Sequence, residues 1–359
     1  MIMAVNERFW QGKKVFLTGH TGFKGGWLSH WLHEMGAIVR GYALAPTTTP
    51  NLYETTSVAT KVDSQIGDIR DFKIIKKSLL EFEPEIVIHM AAQPLVRYSY
   101  ENPIETYETN VMGTMHVLEA IRNCPTVRAA VMVTTDKCYE NKEWNWGYRE
   151  DEPMGGHDPY SSSKGCMELL VASYRKSYFF DGSVKIATAR AGNVIGGGDW
   201  SQDRLLPDLL SALSNNDVAQ IRNPSSIRPW QHVLEPLSGY LLLAECLFTS
   251  DDTKFQSGWN LGPNDVDAKP VDWIANKICN IWGAGAAWQD CSQEGTLHEA
   301  QYLKLDCSKA KNDLNWAPKI SISNAIEMLV SWHKAYLAGN EMILFTNAQI
   351  KNYIKMESL

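Results

Sequence analysis

Short apolar runs recur through the first half of the chain, at residues 15–18, 38–44, 85–90, 129–134 and 185–190. Between them lie segments whose apolar positions fall three and four apart, as at Trp27, Leu28, Trp31, Leu32 and Met35. The first pattern fits a buried strand and the second an amphipathic helix. Their alternation predicts βαβ units, and with them an α/β fold whose parallel sheet carries helices on both faces.

The pattern loosens in the second half, where Gly196-Gly197-Gly198-Asp199, Asn223-Pro224 and Pro263-Asn264 cut the chain into short elements. The sheet unit is therefore expected over residues 1–192, with a return segment at about 228–262. A smaller C-terminal α/β lobe that binds substrate is expected over 193–227 and 263–359. Residues 139–159 are acidic and aromatic (Trp144, Trp146, Tyr148), and loops of that length are usually functional. This one is expected to lie over a site or an interface.

Composition narrows the class. With 359 residues, 44% hydrophobic and 10% aromatic, the chain can bury a large core and is not a disordered polymer. A net charge of −7 with no Lys/Arg cluster argues against a nucleic-acid binder, while leaving room for a small anionic ligand in a locally positive pocket. No apolar stretch approaches a membrane span, and the polar start MIMAVNERFW predicts a cytoplasmic protein. Seven scattered cysteines without a CxxC pair fit neither a disulfide framework nor a zinc site.

Gly19-His20-Thr21-Gly22-Phe23-Lys24-Gly25 stands between the first strand pattern and the first helix pattern. Glycines spaced this way let a backbone turn approach a pyrophosphate, and the helix N-terminus offers it unpaired N–H groups. The predicted fold is thus a Rossmann-like doubly wound sheet binding a dinucleotide. Lys24 and His20 are candidates to add positive charge beside the phosphates. The carboxylate expected about 20 residues on, to hold the ribose hydroxyls, is missing. The second strand ends Gly41-Tyr42-Ala43-Leu44-Ala45-Pro46, with no acid and no Arg. A third strand ends at Gly67-Asp68-Ile69, where Asp68 is placed to accept from the adenine amino group and Asp71 to cap the next helix.

Tyr160-Ser-Ser-Ser-Lys164 sets a phenol and an ammonium at i and i+4 on one helix face. A nearby cation lowers a phenol's pKa and lets it act as a base on a sugar hydroxyl. Together with the glycine turn, His89-Met-Ala91-Ala92, Thr109-Asn110-Val-x-Gly113 and Arg190-Ala-Gly-Asn193-Val194, it resembles the extended short-chain dehydrogenase/reductase family, whose members act on nucleotide sugars. The resemblance covers roughly residues 13–320. It implies NAD as cofactor, held by residues 19–25, Asp68, Ile69, Ala91, Ala92, Asn110, Tyr160 and Lys164. It also implies that Asn110 kinks a helix and orders a proton relay to Lys164. Pairing of helices at 105–122 and 159–180 between copies, in a homodimer or dimer of dimers, is implied as well.

Thr134-Thr135-Asp136-Lys137 lies where sugar-nucleotide 4,6-dehydratases of that family carry Thr-Asp-Glu. Asp followed by Lys, with Arg228-Pro-Trp-Gln-His-Val-Leu-Glu235 and Tyr302-Leu-Lys-Leu-Asp306, resembles the branch acting on CDP-glucose. Oxidising C4 of a hexose acidifies its C5 proton; a base must then remove that proton, and an acid must protonate the departing C6 hydroxyl. Lys137 is the expected base and Asp136 the expected acid, with Thr135 beside them. Neighbours in a strand face opposite ways, so the strand must end near Thr135 for both to reach one sugar. Gln93, Thr135, Asn193, Arg204, Arg228 and His298 are candidate substrate contacts, the arginines for the diphosphate. A dehydratase or 4-epimerase of another nucleotide sugar, or an NAD-binding regulator without catalysis, are the alternatives. No metal is expected.

Overall fold

The computed structural model describes residues 4–292 and 302–356. Its frame is a seven-stranded sheet of β1 (Lys14–Thr18), β2 (Ile38–Ala43), β3 (Asp63–Ile66), β4 (Ile86–His89), β5 (Ala129–Val133), β6 (Lys185–Arg190) and β7 (Gly258–Asn260). All pairings are parallel and the order is β7-β6-β5-β4-β1-β2-β3. The strands follow the predicted apolar runs. β4 and β5 are buried at every residue, as central parallel strands covered on both faces must be. The chain leaves β1 toward β2 on one side and returns to β4 on the other. This switch opens a crevice at the carboxyl ends of β1 and β4, where open α/β sheets bind ligands.

Alternate strand residues feed two cores. Val15, Leu17, Ile88 and Val131 join one, and Phe16, Val87, Ala130 and Met132 the other. On the first face lies α1 (Phe23–Glu34), whose Trp27, Leu28, Trp31 and Leu32 are all fully buried, as their spacing predicts. On the second lie α2 (Phe72–Phe82), α3 (Gly113–Arg122) and α4 (Pro159–Ser177). The Asp71 carboxylate caps α2, accepting from the Lys73 and Ile74 amides at 3.0 and 3.1 Å.

The first core continues through α5 (Leu205–Ser214) and α6 (Leu234–Thr249) to α7 (Val271–Trp282) and α8 (Ile322–Leu337). Short strand pairs, Ala219–Ile221 with Trp288–Asp290 and Ile227–Pro229 with Ala268–Pro270, complete the smaller lobe. The last helix, α9 (Met342–Lys355), packs on both α8 and α1. Among the described residues no helix is long and apolar enough to cross a membrane.

α6 begins with a buried carboxylate. Glu235 Oε1 accepts from the Lys319 and Ile320 amides at 2.8 and 2.6 Å, and Oε2 accepts from the Tyr353 hydroxyl at 2.8 Å. Burial outweighs these bonds and pushes its pKa up to about 7. The folded protein therefore binds this proton more tightly than the unfolded chain, and stability falls as pH rises between about 4.5 and 7. A Glu235→Gln variant should lose that slope. It should exceed the parent at pH 8 by an amount on the order of 2–3 kcal/mol, read by urea unfolding at pH 5 and pH 8.

Candidate active site

A cleft of about 870 Å³ runs along the carboxyl ends of the strands, between the sheet and the smaller lobe. Its floor is the turn after β1. Gly19 has φ +79° and packs so tightly that a Cβ would sit 2.8 Å from the Ala91 nitrogen. At Gly25 a Cβ would meet the Gly19 carbonyl oxygen, so the first turn of α1 closes directly onto the loop. Thr18 Oγ1 accepts from the Met90 and Ala91 amides at 3.0 and 3.1 Å, which seats Ala91 and Ala92 as the facing wall. Ile69 and Asp68 line the same wall; the Asp68 carboxylate is held by Arg70 at 2.7 Å, which keeps its pKa low. Where β2 ends, uncharged residues 43–48 line the cleft.

Two of the turn's expected cations are not cations of the kind foreseen. The His20 imidazole is fully buried, 2.7 Å from Ser64 Oγ, and packs against Gly41. Burial drives its pKa down to about 4, so it brings no positive charge to the cleft. Lys24 does line the cleft, but its Nζ turns to the Tyr240 hydroxyl at 3.1 Å. Burial, with repulsion from Lys164 and Arg204, lowers its pKa to about 7. Spacing could not reveal either fate, since both depend on what the side chain meets in three dimensions.

α4 starts with Asp158 as its cap, accepting from the Ser161 amide at 2.9 Å, and Pro159 as its first residue. This fixes Tyr160 and Lys164 one turn apart, but they turn to different partners. The Tyr160 phenol lies beside the Thr135 hydroxyl, while Lys164 Nζ donates to the Val133 carbonyl at 3.3 Å. Burial and the neighbouring Asp136 charge push Tyr160 up to about 12, and burial lowers Lys164 to about 8. The expected depression of the phenol by Lys164 is absent here: desolvation and carboxylates raise it, and the groups that oppose them are Thr135 and Arg204. Behind this pair the helix bearing Asn110 widens into a π-turn, a local distortion common at functional sites. Asn110 Nδ2 donates to Ser163 Oγ at 2.9 Å, and its Oδ1 accepts from the Gln93 amide at 2.8 Å. Asn110 thus braces the residue before Lys164 rather than Lys164 itself.

β5 stops at Val133, and residues 136–138 coil into one 3-10 turn capped by Thr135. That early stop, required for two adjacent side chains to share a site, brings both Asp136 and Lys137 into the cleft beside Tyr160. Asp136 is fully buried: Oδ1 accepts from Thr135 Oγ1 at 2.9 Å and lies 3.7 Å from Lys137 Nζ, while Oδ2 has no partner. Room for Oδ2 comes from Gly192, whose Cβ would overlap it. A Gly192→Ala variant should fold but displace Asp136, and misplacement of a reacting group by about 1 Å can cost about 10²-fold in rate. Turnover measured beside thermal unfolding separates this from global damage. Among the described residues, no cluster of His, Cys, Asp and Glu could hold a metal ion.

A family model described as GDP-mannose 4,6 dehydratase matches residues 16–329. The chain belongs to that family. Among curated relatives of this 4,6-dehydratase family, the CDP-glucose 4,6-dehydratase of Salmonella typhimurium is 55% identical over 355 residues, 98% of each chain. The dTDP-glucose 4,6-dehydratase of Xanthomonas campestris is 25% identical over 342 residues, covering 88% of this chain and 92% of that one. Solved structures share the fold. That of dTDP-glucose 4,6-dehydratase from Bacillus anthracis in complex with NAD has a TM-score of 0.76 at 18% identity, over 92% of this chain and 100% of that one. That of UDP-glucose 4-epimerase from Thermotoga maritima with UDP-glucose has 0.77 at 19%, over 90% and 99%.

The remaining candidates in this family member divide. Asn193, Arg204 and Arg228 line the cleft; Asn193 has a left-handed φ of +24° and an unpartnered, buried Oδ1. Arg204 Nη1 is 3.2 Å from Asp199. Gln93 also lines it, but its amide bonds Thr106 and the Leu95 backbone, which holds its own loop. His298 lies outside the described residues. Loop 139–159 walls the cleft with Asn141, Glu143, Gly156 and His157, and is stitched down through a Tyr139–Met154 bridge. Sequence reasoning missed Gly192, Arg97, Asp203 and Arg222. It also missed Glu168, whose carboxylate accepts from Thr134, Thr188 and Arg190 behind the Asp136–Lys137 turn. Glu168 sits one helical turn after Lys164, the one signal that could have found it.

Proposed function

We propose that the chain is a CDP-glucose 4,6-dehydratase that uses NAD and converts CDP-glucose to CDP-4-dehydro-6-deoxy-glucose. The observation carrying the reaction is the stop of β5 at Val133, which delivers an acid, a base and Tyr160 to one cleft. An epimerase has no use for the first two. The cytidine base follows the Salmonella relative.

The cleft fits a dinucleotide. Gly19 and Gly25 leave no space for side chains where a pyrophosphate would meet the N-terminus of α1, and residues 43–48 leave the ribose end uncharged. Residues 19–25, Asp68, Ile69, Ala91, Ala92 and Lys164 would hold NAD, with Asn110 bracing them. Bound NAD supplies a hydride acceptor at C4 and returns the same hydride at C6. The Tyr160 phenolate, formed by loss of the phenol proton, takes the C4 hydroxyl proton through Thr135 and is left as the phenol. Lys137 Nζ takes the C5 proton, Asp136 Oδ2 gives one to the C6 hydroxyl as water leaves, and Lys137 gives a proton back to C5 when C6 is reduced. A neutral Asp136–Lys137 pair holds the same proton count as the ion pair, so elimination converts one into the other without a proton from solvent. Asn193, Arg204, Arg228 and His298 are the proposed substrate contacts.

The sheet unit, 1–192 with 228–262, is the proposed NAD-binding part, and the rest the nucleotide-sugar lobe, in a cytoplasmic homo-oligomer. Ile104 (74% exposed) and Leu169 (62% exposed) leave an apolar face on the helices before α3 and on α4 that a second copy would cover. Leu169→Arg should yield a smaller species by light scattering if that is the contact.

The decisive test is mass spectrometry after incubation with CDP-glucose and NAD⁺, with dTDP-glucose and GDP-mannose in parallel. Loss of one water from CDP-glucose alone is expected. Loss from another sugar instead overturns the base, and isomerisation without mass change overturns the dehydration.

A further inference from the structure

We propose that the buried ion pair Glu168–Arg190 is a clamp that holds the Asp136–Lys137 turn in register with the helix bearing Tyr160, and that Thr134 and Tyr139, its two handles on the turn, are positioning residues for the reaction. The proposal rests on the dehydratase reading and extends it to four residues that have no part in the chemistry there.

Glu168 lies on α4 one turn beyond Lys164, and Arg190 ends β6. Both are 4% exposed, and the pair is densely bonded. Glu168 Oε1 accepts from Arg190 Nε at 2.9 Å and from the Thr134 hydroxyl at 2.5 Å. Its Oε2 accepts from Arg190 Nη2 at 2.8 Å and from the Thr188 hydroxyl at 2.7 Å. Arg190 Nη1 donates to the Tyr139 hydroxyl at 2.6 Å and to the Glu150 carbonyl at 3.0 Å. Room for the guanidinium comes from Gly258, where a Cβ would sit 2.5 Å from Nη2. A buried pair of this kind adds little stability over well-packed apolar side chains. What it adds is direction, because a planar forked donor fixes the angle at which its partners meet.

The two handles stand on either side of the turn. Thr134 lies between the end of β5 and Thr135, and Tyr139 follows Cys138. Both ends of the segment carrying Asp136 and Lys137 thus hang on one ion pair, whose carboxylate grows from the Tyr160 helix. That helix lies directly against the turn: at Gly165 a Cβ would come 3.3 Å from the Cys138 carbonyl oxygen and 2.8 Å from that of Gly155. Tyr139 is held on its far side as well, donating to Asn260 Oδ1 at 2.6 Å. The Glu168 charge also opposes the effect of burial on Lys164. The reaction needs such a register. One bound sugar must offer C4 to Tyr160 and then C5 and C6 to Lys137 and Asp136, and a reacting group misplaced by about 1 Å can cost about 10²-fold.

Removing either member of the pair would leave a buried charge uncompensated, a cost borne by the whole fold, so the test removes the handles. Tyr139→Phe keeps the ring and loses both hydroxyl bonds on the far side of Lys137. It should oxidise C4 within about threefold of the parent rate and release water about 10–100-fold more slowly, so that absorbance of reduced cofactor builds up after mixing with CDP-glucose and NAD⁺. Thr134→Val loses its bond to Glu168 beside Thr135 and should slow both stages by about tenfold, whereas Thr134→Ser, which keeps the hydroxyl, should restore both. Amide hydrogen exchange, read on the protein without substrate, should quicken by about tenfold over residues 136–140 in Tyr139→Phe and Thr134→Val, but not in Thr134→Ser, while β5 and β6 stay protected. Unchanged exchange in Tyr139→Phe and Thr134→Val overturns the clamp. Parental water release by Tyr139→Phe, or equal slowing of its two stages, overturns its part in the reaction, and a Thr134→Ser variant as slow as Thr134→Val overturns that of Thr134. A parent protein that removes water from no nucleotide sugar overturns the dehydratase reading instead, and exchange then decides the clamp by itself.

Discussion

An Asp136→Asn variant is expected to oxidise the sugar at C4 and then stall, with water release slowed by about 10²–10⁴-fold. Asparagine has the shape of aspartate and can still face Thr135 Oγ1, so the fold of the 136–138 turn should survive. What it lacks is a proton to hand over from the buried Oδ2 position, and the charge 3.7 Å from Lys137. Tyr160 stays intact, so the absorbance of reduced cofactor should accumulate rather than pass quickly. Exchange of the C5 proton with deuterated solvent should continue through Lys137. The phenol should also titrate at lower pH, since Asp136 is one of the groups that raise it. Rapid-mixing absorbance and mass spectrometry read both stages; water release above about a tenth of the parent rate would remove Asp136 as the acid.

Tyr160→Phe should abolish both stages together. The ring still fills its buried position, but the hydroxyl beside Thr135, the proposed acceptor of the C4 proton, is gone. Loss of about 10²–10⁴-fold in C4 oxidation is expected, without accumulation of reduced cofactor and with CDP affinity kept. In the unliganded protein the phenol is pushed up to about 12, so oxidation in the parent should quicken as pH rises, a slope the variant cannot show. Reduced cofactor formed by the variant at near-parental rate would move the base elsewhere.

These two variants divide the reaction between two elements, which the chain reveals unequally. Tyr160 and Lys164 are four apart on a helix whose period puts them on one face, and α4 obeys it. Asp136 and Lys137 are adjacent, and in a continuing strand only one of them would enter the cleft. Their pairing needed the stop at Val133, which the sequence poses as a requirement and the structure meets with a 3-10 turn. Charge was less legible than position. His20 lies in the right turn but is neutral in a pocket beside Ser64, and the Lys24 pKa is lowered to about 7 by burial and two cations. Gly192 gives no local sign that its missing side chain makes room for Asp136, 56 residues away in sequence.

The chain alone determined what depends on neighbours a few residues apart: the strands, the amphipathic helices, the glycine turn and the Tyr160–Lys164 spacing. Periodicity and turn chemistry act over that range, so they can be read from a string of letters. The tertiary structure decided what depends on distance through space and on exclusion of water. It set which ionisable groups stay charged, which hydroxyl lies beside the Tyr160 phenol, and which oxygen of the Asp136 carboxylate is left without a partner. It also brought Arg97, Asp203 and Arg222 together from three separate segments. Desolvation and Coulomb interactions follow the folded surroundings of a group, and no spacing along the chain encodes them.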